Sequence, residues 1–352
     1  WTTSKPLELK CMRWLSLFIL LLVIVAAVLV AHGISVYHAE VQEPLTLDRT
    51  EIVVVQPGQG SRQIIQELAD RGWVRYPRLV EAYTRYHGIA GRLQAGEYEV
   101  PPGISVGALL DNMHRGLVIR HRLTIPEGWT AQQFLAAVEA HPQLRPFEEP
   151  TDLEALMTRL GYEDRHPEGW FLPDTYVFNR DTPSLQVVRI AHEAMLQALD
   201  EAWESRVDGH PVETPYELLI LASIVERETG QAEERGLVAG VFVNRLRKGM
   251  RLQTDPTLLY AQEPGTTRLT RAELRRDHPY NTYTREGLPP TPIALPGRAS
   301  LMAAAQPAET DALFFVSRND GTHVFSTTYA EHRAAVIRHQ LDGDASRYGG
   351  GQ

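Results

Sequence analysis

The sequence is poor in cysteine and in clustered positive charge, and both absences limit what it can do. One cysteine among 352 residues excludes an intramolecular disulfide and a metal site built from thiolates. The formal net charge is −9 and no basic stretch follows the N-terminal tip, so nucleic acid is excluded as a partner. The 13 histidines include no pair spaced four residues apart, as zinc ligands on one helix would be. We therefore predict neither a metal nor a cofactor.

A long apolar run near the N-terminus predicts one membrane-spanning helix. Residues 14–37 form a stretch of 24 residues that is apolar from Leu15 to Ala31 except for Ser16. About 20 such residues cross a bilayer. Basic residues precede the run and acidic residues follow it: Lys5, Lys10 and Arg13, then Glu40, Glu43 and Asp48. The positive-inside rule makes residues 1–13 a cytoplasmic tip and puts everything after about His38 outside.

A cleaved signal peptide is the alternative interpretation of this run. The positions where a small-x-small cleavage site should fall read Leu29-Val30-Ala31 and Tyr37-His38-Ala39. Neither sequence suits signal peptidase, so we expect an uncleaved anchor. The chain begins with Trp1, and Met12 is an alternative start, in which case Cys11 is not native.

About 300 residues follow the anchor, which is enough for two domains. Three segments share one plan: a short strand (52–55, 97–100 and 123–125), a Pro/Gly turn, an N-cap hydroxyl and an apolar-periodic helix. The N-cap candidates are Ser61, Ser105 and Thr130. Such units resemble the lysin-motif modules that bind N-acetylglucosamine polymers, and plain βα architecture without a ligand is the alternative. We predict a linker at 38–50 and a lysin-motif-like βα subdomain at 51–120.

Beyond Thr151 the sequence changes to helices joined by loops rich in aromatic residues, Pro and Gly. A hairpin is predicted around the Asn319-Asp320-Gly321 turn, with strands at 313–316 and 322–325. The predicted helices are 151–160, 184–206, 215–229, 233–248, 256–261, 298–305 and 329–341. The whole chain is therefore predicted to be α+β, with a mostly helical domain at 121–341 and a flexible tail at 342–352.

The segment from Thr214 to Gly230 predicts a buried helix that carries two glutamates to the edge of a core. Thr214 and Glu217 form a capping box, Gly230 is the expected stop, and the residues between leave almost no polar face. Glu226 and Glu228 follow the apolar run, where desolvation raises the pKa of a carboxyl toward neutrality. Such a carboxylic acid can protonate a glycosidic oxygen. A solvated helix end is the alternative, and since the two glutamates are about 200° apart, at most one faces a given cleft.

Three loops combine aromatic rings with polar groups in the way a carbohydrate groove does. They are residues 168–176, 251–257 and 280–283, the last leading into Gly287-Leu-Pro-Pro290. Each has a simpler interpretation as well. Asp255 before a proline is a better helix N-cap than catalytic acid, and Trp170 can belong to the core.

Together these segments resemble the endolytic murein transglycosylase (YceG-like) family of bacterial inner-membrane proteins. The resemblance runs from Ile52 to Ala335. It is carried, in order, by EGWFLPDTY (168–176), LASIVERET (221–229), VFVNRL (241–246), RLQTDPT (251–257), YNTY (280–283) and GLPPTPI (287–293).

The resemblance implies one bilayer helix, a lysin-motif-like subdomain and a catalytic domain distantly similar to lysozyme-type helical folds, in a protein of the inner membrane with its bulk in the periplasm. The family's catalytic glutamate maps to Glu226. It would protonate the bond between N-acetylmuramic acid and N-acetylglucosamine, and the muramoyl C6 hydroxyl would close a 1,6-anhydro ring. The candidates for binding the glycan are Gln253, Thr254, Asn281, Tyr283, Trp170 and Tyr176. Expected partners are peptidoglycan strands, the membrane through residues 14–37, and peptidoglycan synthases.

Two other functions fit the same sequence. A muramidase-type hydrolase would use Asp255 or Asp174 to activate water, and its product would carry a reducing end. A non-catalytic wall-binding anchor would hold peptidoglycan or dock synthases through the βα units. Product analysis separates the first from a transglycosylase, and loss of cleavage by the whole protein would favour the second.

Overall fold

The computed structural model describes residues 5–263 and 265–348, with side chains from residue 14 onward. Expectations that concern residues 1–4 and 349–352, including the unusual first residue and the end of the tail, lie outside the described residues. The chain divides at Arg120 and His121 into two compact units. Each unit is built around its own apolar core.

The N-terminal unit begins with a long helix, α1 (Lys5–Tyr37), which continues into one π-helical turn at His38–Gln42. Within the described residues this is the one helix that is long and apolar enough to cross a membrane, and its apolar side chains are exposed. The predicted membrane-spanning helix is therefore present as a helix of the required length and composition.

The segment that follows α1 is fixed to the rest of its unit, although the sequence predicts a linker there. The carboxylate of Glu40 accepts hydrogen bonds from the backbone N–H groups of Arg75 and Tyr76, at 2.5 and 2.7 Å. The side chain of Val41 is buried, and the backbone N–H of Leu45 donates to the carbonyl of Ile104 at 2.8 Å. The membrane helix thus passes directly into a folded unit.

After this segment, the N-terminal unit continues with two strands and three helices. They are β1 (Glu51–Val55), α2 (Ser61–Asp70), α3 (Pro77–Tyr86), β2 (Gly96–Val100) and α4 (Val106–Arg115). The strands β1 and β2 pair antiparallel, with Val53 opposite Tyr98. Alternate residues of β1 and one face of each helix meet in the core, as period-2 and period-3.6 patterns require.

The helix starts show which local signals hold. The hydroxyl of Ser105 accepts from the N–H of Ala108 and caps α4, as predicted. The predicted N-cap of α2, Ser61, is wrong by one residue, since the N-cap is Gly60. The side chain of Gln63 accepts the backbone N–H of Gly60 at 3.0 Å, and this hydrogen bond fixes the start of the helix. The helix α3 was not predicted. The acceptor for the amides just before it is Glu40, which lies far away in sequence.

The C-terminal unit is mostly helical, with short strand pairs. Its elements are β3 (His121–Thr124), α5 (Ala131–Glu139), β4 (Leu144–Arg145), α6 (Leu153–Leu160), β5 (Thr175–Phe178), β6 (Thr182–Pro183), α7 (Ser184–Glu204), α8 (Pro215–Glu228), α9 (Arg235–Arg247), α10 (Asp255–Tyr260), α11 (Arg271–Arg275), α12 (Arg298–Ala305), β7 (Phe314–Ser317), β8 (His323–Ser326), α13 (Tyr329–Gln340) and a 3₁₀ turn at Ala345–Arg347. The seven predicted helices of this region are present with ends within two residues of the prediction. The five-residue helix α11 was not predicted.

The centre of this unit is α8, which packs against α7, α9, α10 and α12. The strands β3 and β5 pair antiparallel, β4 and β6 pair in parallel, and β7 and β8 form the predicted hairpin. The third strand–turn–helix segment therefore belongs to this unit and pairs with β5, not with β1 or β2. The three segments are consequently not one continuous repeat array.

Candidate active site

The helix α8 runs through the core, and its two glutamates lie in the last turn, at the edge of the core. The hydroxyl of Thr214 accepts from the N–H of Glu217, and the Glu217 carboxylate accepts from the N–H of Thr214, which is the predicted capping box. Every residue from Leu218 to Val225 is buried. The predicted stop at Gly230 is wrong by one residue, because Thr229 is already extended (φ −143°) and ends the helix at Glu228.

Glu226 is half-buried and one of its oxygens is fixed by backbone. Its Oε2 accepts a hydrogen bond from the N–H of Gly297 at 2.9 Å. The next residue, Arg227, donates through Nη1 to the carbonyl of Gly128 at 3.1 Å. Gly128 in turn donates to the carbonyl of Leu295 at 3.0 Å. Two distant backbone segments thus frame the end of α8.

A second carboxyl lies at the same place. Glu127 belongs to the turn after β3, and a Cβ atom added to Gly297 would overlap the Glu127 carboxyl group. Partial burial and the charge of Glu226 raise the pKa of Glu127, while Arg235, 4.0 Å away, lowers it. Sequence reasoning did not select Glu127. It appeared only as part of a turn, and nothing local links it to α8.

Glu228 points away from this pair, as the helical geometry requires. Its carboxyl accepts a hydrogen bond from the hydroxyl of Thr254. Desolvation raises the pKa of Glu228 to about 7, with the nearby charge of Asp255 adding to the shift and the hydrogen bond from Thr254 opposing it. The shift thus belongs to Glu228, which is not the glutamate that the family resemblance selects. Glu228 makes an enclosed contact with the 251–254 loop.

A third glutamate, Glu168, combines burial with a raised pKa. It is 3% exposed, and burial raises its pKa to about 7 despite three hydrogen bonds to its oxygens. Its Oε1 accepts from the N–H of Ala131 at 2.8 Å, and its Oε2 accepts from the hydroxyl of Tyr260 at 3.2 Å. Glu168 therefore links the start of α5 to the end of α10. A raised pKa alone does not separate a catalytic carboxyl from a structural one in this protein.

Thr254 and Asn281, two of the predicted glycan ligands, are committed to holding loops. Thr254 is 2% exposed and donates to Glu228, while its backbone N–H donates to the hydroxyl of Thr282 at 3.1 Å. Asn281 is fully buried, and its Nδ2 donates to three backbone carbonyls around Arg276 while its Oδ1 accepts from the N–H of Tyr283. Their polar atoms are thus paired within the protein, and these two residues hold the 251–254 and 280–283 loops in place.

Gln253 and Tyr283 lie at the surface of the same loops. Gln253 is exposed and has φ +49°, a left-handed conformation that costs a non-glycine residue free energy. Its backbone N–H donates to the carbonyl of Thr282 at 3.1 Å. The hydroxyl of Tyr283 donates to Asp255 at 2.6 Å. Asp255 is the first residue of α10 and not its N-cap, so the predicted cap is wrong by one position: Thr254 occupies it.

Trp170 and Tyr176, the predicted aromatic ligands, are core residues. Trp170 is 5% exposed, stacks on Tyr216 with ring centroids 5.8 Å apart, and is covered by the guanidinium of Arg165 at 4.7 Å. Tyr176 is 8% exposed and its hydroxyl donates to the carbonyl of Leu172. Both side chains are thus largely covered by other residues of the protein.

A cleft of about 810 Å³ lies at the end of α8, and the carboxyls of Glu168 and Glu263 line it. Gly128, against which the Glu226 side chain packs, and Arg227 both line it. Amide and hydroxyl side chains supply most of its other polar groups: Thr130, Gln132, Gln133, Gln262, Thr266 and Thr267. None of the predicted site residues lines this cleft. Amide and hydroxyl groups of this kind bind sugar hydroxyl and N-acetyl groups.

A metal site is a separate question. Within the described parts of the chain (5–263 and 265–348), no group of three His, Cys, Asp or Glu side chains is placed so that it could hold a metal ion.

Comparisons with known proteins agree with one another. A model of the YceG-like family matches residues 53–338. An endolytic murein transglycosylase of Bacillus subtilis is 32% identical over 326 residues, which cover 87% of this chain and 90% of that protein. Endolytic murein transglycosylases of two Streptococcus pneumoniae strains are 27% identical over 363 residues. The match covers 92% of this chain but 65% of the pneumococcal proteins. A crystal structure of a YceG-like protein of Listeria monocytogenes is 30% identical, with a TM-score of 0.50, over 81% of this chain and 98% of that one.

Proposed function

This chain belongs to the YceG-like family, and from that membership we infer that it is a lytic transglycosylase that cleaves peptidoglycan. The observation that carries the assignment of its acid is the position of Glu226. This carboxyl stands at the end of a buried helix, with one oxygen held by the backbone of Gly297, and the next residue, Arg227, lines a cleft that carries amides, hydroxyls and two carboxyls.

We propose that Glu226 acts first as acid and then as base. Because its Oε2 accepts the Gly297 N–H, its Oε1 is the oxygen that carries the proton. That proton passes to the oxygen of the β-1,4 bond between N-acetylmuramic acid and N-acetylglucosamine, and the bond from C1 to this oxygen breaks. The C6 hydroxyl of the same muramoyl residue then attacks C1 and returns its proton to Glu226. The product is a 1,6-anhydromuramoyl end, and water does not react.

One acid is sufficient for this reaction because the nucleophile is part of the substrate. A hydroxyl on the same sugar ring reacts at a high effective molarity, so no protein group has to activate it from solution. Hydrolysing glycosidases instead need a second carboxyl, either as nucleophile or to activate water.

The order of the elements in the N-terminal unit supports a role for this unit in binding the glycan near the membrane. Its β1, α2, α3 and β2 follow one another in the order strand–helix–helix–strand, and the two strands pair antiparallel. We propose that this unit is a lysin-motif-like module for N-acetylglucosamine polymers. We propose further that α1 anchors the protein in the cytoplasmic membrane with both units outside, where it cuts nascent strands beside peptidoglycan synthases.

The test is mass spectrometry of uncrosslinked glycan strands that have been digested by the full-length protein in detergent, in water enriched in ¹⁸O. Anhydromuramoyl ends without the label are the expected product. Labelled reducing ends would identify a muramidase-type hydrolase instead. The proximity of Glu127 to Glu226 is the one observation that favours this second function, because an inverting hydrolase needs two separated carboxyls. Folded protein that binds strands without cutting them would identify a wall-binding anchor.

A further inference from the structure

The helix α3 lies beside the end of α1. The ring of Tyr83, in the second half of α3, contacts the ring of Tyr37, the last residue of α1, with centroids 6.3 Å apart. Just before α3, the backbone N–H groups of Arg75 and Tyr76 donate to the carboxylate of Glu40. Glu40 follows Tyr37 by three residues, which is a rise of about 4.5 Å along a helix. The helix α3 is therefore held close to the level of Tyr37.

The level of Tyr37 is that of the membrane–water interface when α1 spans the bilayer. The predicted span has 24 residues, from Trp14 to Tyr37. As a helix they cover about 36 Å. The hydrocarbon core is about 30 Å thick, and the bilayer with its headgroups about 40–45 Å. Trp14 and Tyr37 then lie at the two interfaces, where aromatic rings are favoured. Because α3 lies at the level of Tyr37, it lies among the headgroups.

The exposed face of α3 carries basic and aromatic side chains. Arg78, Arg85 and Tyr86 are exposed, whereas Val80 and Thr84 are buried on the opposite face. The side chain of Tyr86 is 88% exposed. Tyrosine has an apolar ring with a polar tip, and arginine has an apolar stem with a charged end. Both kinds of side chain are suited to a membrane interface.

A depression of about 550 Å³ lies at the start of α3. The guanidinium groups of Arg62, Arg75 and Arg78 line it, together with the carboxylate of Glu81. Glu81 is already paired with Arg62 at 3.3 Å and with Arg85 at 3.1 Å. Within the parts of the chain that the structure describes, Arg75 and Arg78 form no ion pair. Two exposed guanidinium groups, whose planar fork matches the oxygens of a phosphate, are thus left for an anion.

We propose that α3 is a second membrane contact of this protein, which binds anionic phospholipid headgroups through Arg75 and Arg78. This inference rests on the proposed function of α1 as a membrane anchor. Tyr76 and Tyr86 place their rings among the headgroups, and the two guanidinium groups bind phosphate oxygens. An N-acetylglucosamine polymer carries no charge, so the unpaired guanidinium groups favour lipid over glycan as the ligand of this face.

The first test measures the depth of α3 in the membrane by electron paramagnetic resonance. The full-length protein with Cys11→Ser carries one nitroxide label, at Tyr86→Cys, and is reconstituted in vesicles of phosphatidylcholine and phosphatidylglycerol. This label should be less accessible to a water-soluble nickel reagent than a label at Leu117→Cys. Leu117 is 51% exposed and follows the end of α4, whose start packs against Val41. A label at Leu22→Cys, inside the span, should meet oxygen dissolved in the lipid and not the nickel reagent.

The second test measures whether the two arginines select anionic lipid. Native mass spectrometry of the full-length protein from mixed micelles counts the molecules of phosphatidylglycerol and phosphatidylcholine that remain bound. One arginine at an anionic surface contributes about fivefold to binding, so Arg78→Gln should lower the preference for phosphatidylglycerol by about that factor. Arg75→Gln should add a similar loss. Arg115→Gln, at an exposed arginine on α4, is the matched control and should keep the preference. All variants share the background from the basic residues before the span: Lys5, Lys10 and Arg13.

The outcomes separate this inference from the anchor on which it rests. If the label at position 86 is as accessible to nickel as the label at 117, while the label at 22 is buried in lipid, the contact of α3 is overturned and the anchor stands. If Arg78→Gln and Arg115→Gln retain anionic lipid equally, Arg78 is not a headgroup ligand, which also overturns the proposal. If the label at 22 is accessible to nickel, the proposed anchor itself is wrong. Loss of glycan binding in Arg78→Gln with unchanged lipid retention would make this face a glycan site instead.

Discussion

The carboxyl of Glu228 accepts a hydrogen bond from the hydroxyl of Thr254, and this contact ties the end of α8 to the loop before α10. The neighbouring glutamate on the same helix, Glu226, is instead held by the backbone of Gly297. The proposed catalytic carboxyl and a structural carboxyl thus lie two positions apart on one helix. This difference gives the first prediction its control.

Replacing Glu226 by Gln should abolish strand cleavage, with a loss of at least about 10²-fold, because an amide cannot donate its proton usefully. Thermal unfolding should change little, since Gln still accepts the Gly297 N–H. Release of anhydromuramoyl ends is the measurement. Glu228→Gln is the matched control and should cut normally, because Gln also accepts the Thr254 hydroxyl. A comparable loss in that control would transfer the catalytic role to Glu228.

The stability that Glu168 and Glu228 contribute should fall as the pH rises from about 4.5 to 8. Burial raises the pKa of both Glu168 and Glu228 to about 7, above the value of an unfolded glutamate. Between these two values the folded state binds more protons than the unfolded state, so its stability decreases as the pH passes through 7. Four histidines with a lowered pKa act in the opposite direction in both proteins: His166, His192, His210 and His332. The measurement is therefore the difference in melting temperature between the wild type and Glu228→Gln, which should move in favour of Glu228→Gln between pH 5 and pH 8. An equal difference at the two pH values would mean that Glu228 stays ionised when folded.

Replacing Asn281 by Ala should destabilise the protein and not merely weaken substrate binding. The change removes the donor to three partly buried backbone carbonyls and the acceptor of the Tyr283 N–H, although the Glu273 carbonyl keeps the N–H of Arg276 as a donor. A loss of about 1–3 kcal/mol is expected from the partly buried groups that are left without a partner. Urea unfolding measures it as a lower midpoint with an unchanged slope. Normal stability with a raised KM would instead make Asn281 a glycan ligand.

Replacing Gln253 by Gly should separate backbone strain from substrate contact. Glycine takes φ +49° without steric cost, so the variant should gain up to about 1 kcal/mol of stability. Gln253 is exposed, and if its amide grips the glycan the same variant should show a higher KM. Gln253→Asn, which tolerates the left-handed conformation and keeps an amide, is the companion variant. Unchanged KM in the glycine variant would leave Gln253 without a role in binding.

Local signals in the sequence predicted the parts of the fold that depend on near neighbours. The capping box at Thr214 and the continuous apolar run after it predicted α8, and the Asn319-Asp320-Gly321 turn predicted the hairpin. The positions of Glu127 and Gly297 could not be predicted. They are separated by 99 and 71 residues from their partners on α8, and only the folded chain brings them together.

The predicted ligands were chosen for their chemistry, and chemistry does not reveal which side of a loop a side chain occupies. An amide such as Asn281 can form hydrogen bonds with a sugar or with the backbone of a loop. Which of the two it does depends on whether the side chain is buried, and Asn281 is buried. Conversely, the residues that line the cleft, such as Gln132 and Gln262, lie on ordinary helical and loop positions with no local signal. The raised pKa of Glu168 likewise depends on burial by residues far away in sequence.

The junction at Glu40 and Val41 sets the rotation of the N-terminal unit about the axis of α1. Because α1 runs without a break into the turn that is fastened to Arg75 and Tyr76, the helix and the rest of the N-terminal unit are joined by regular hydrogen-bonded structure. One residue inserted after Gly33 would turn that unit by about 100° around the helix axis and raise it by about 1.5 Å. Seven inserted residues would nearly restore its original facing, about 10 Å farther from the membrane.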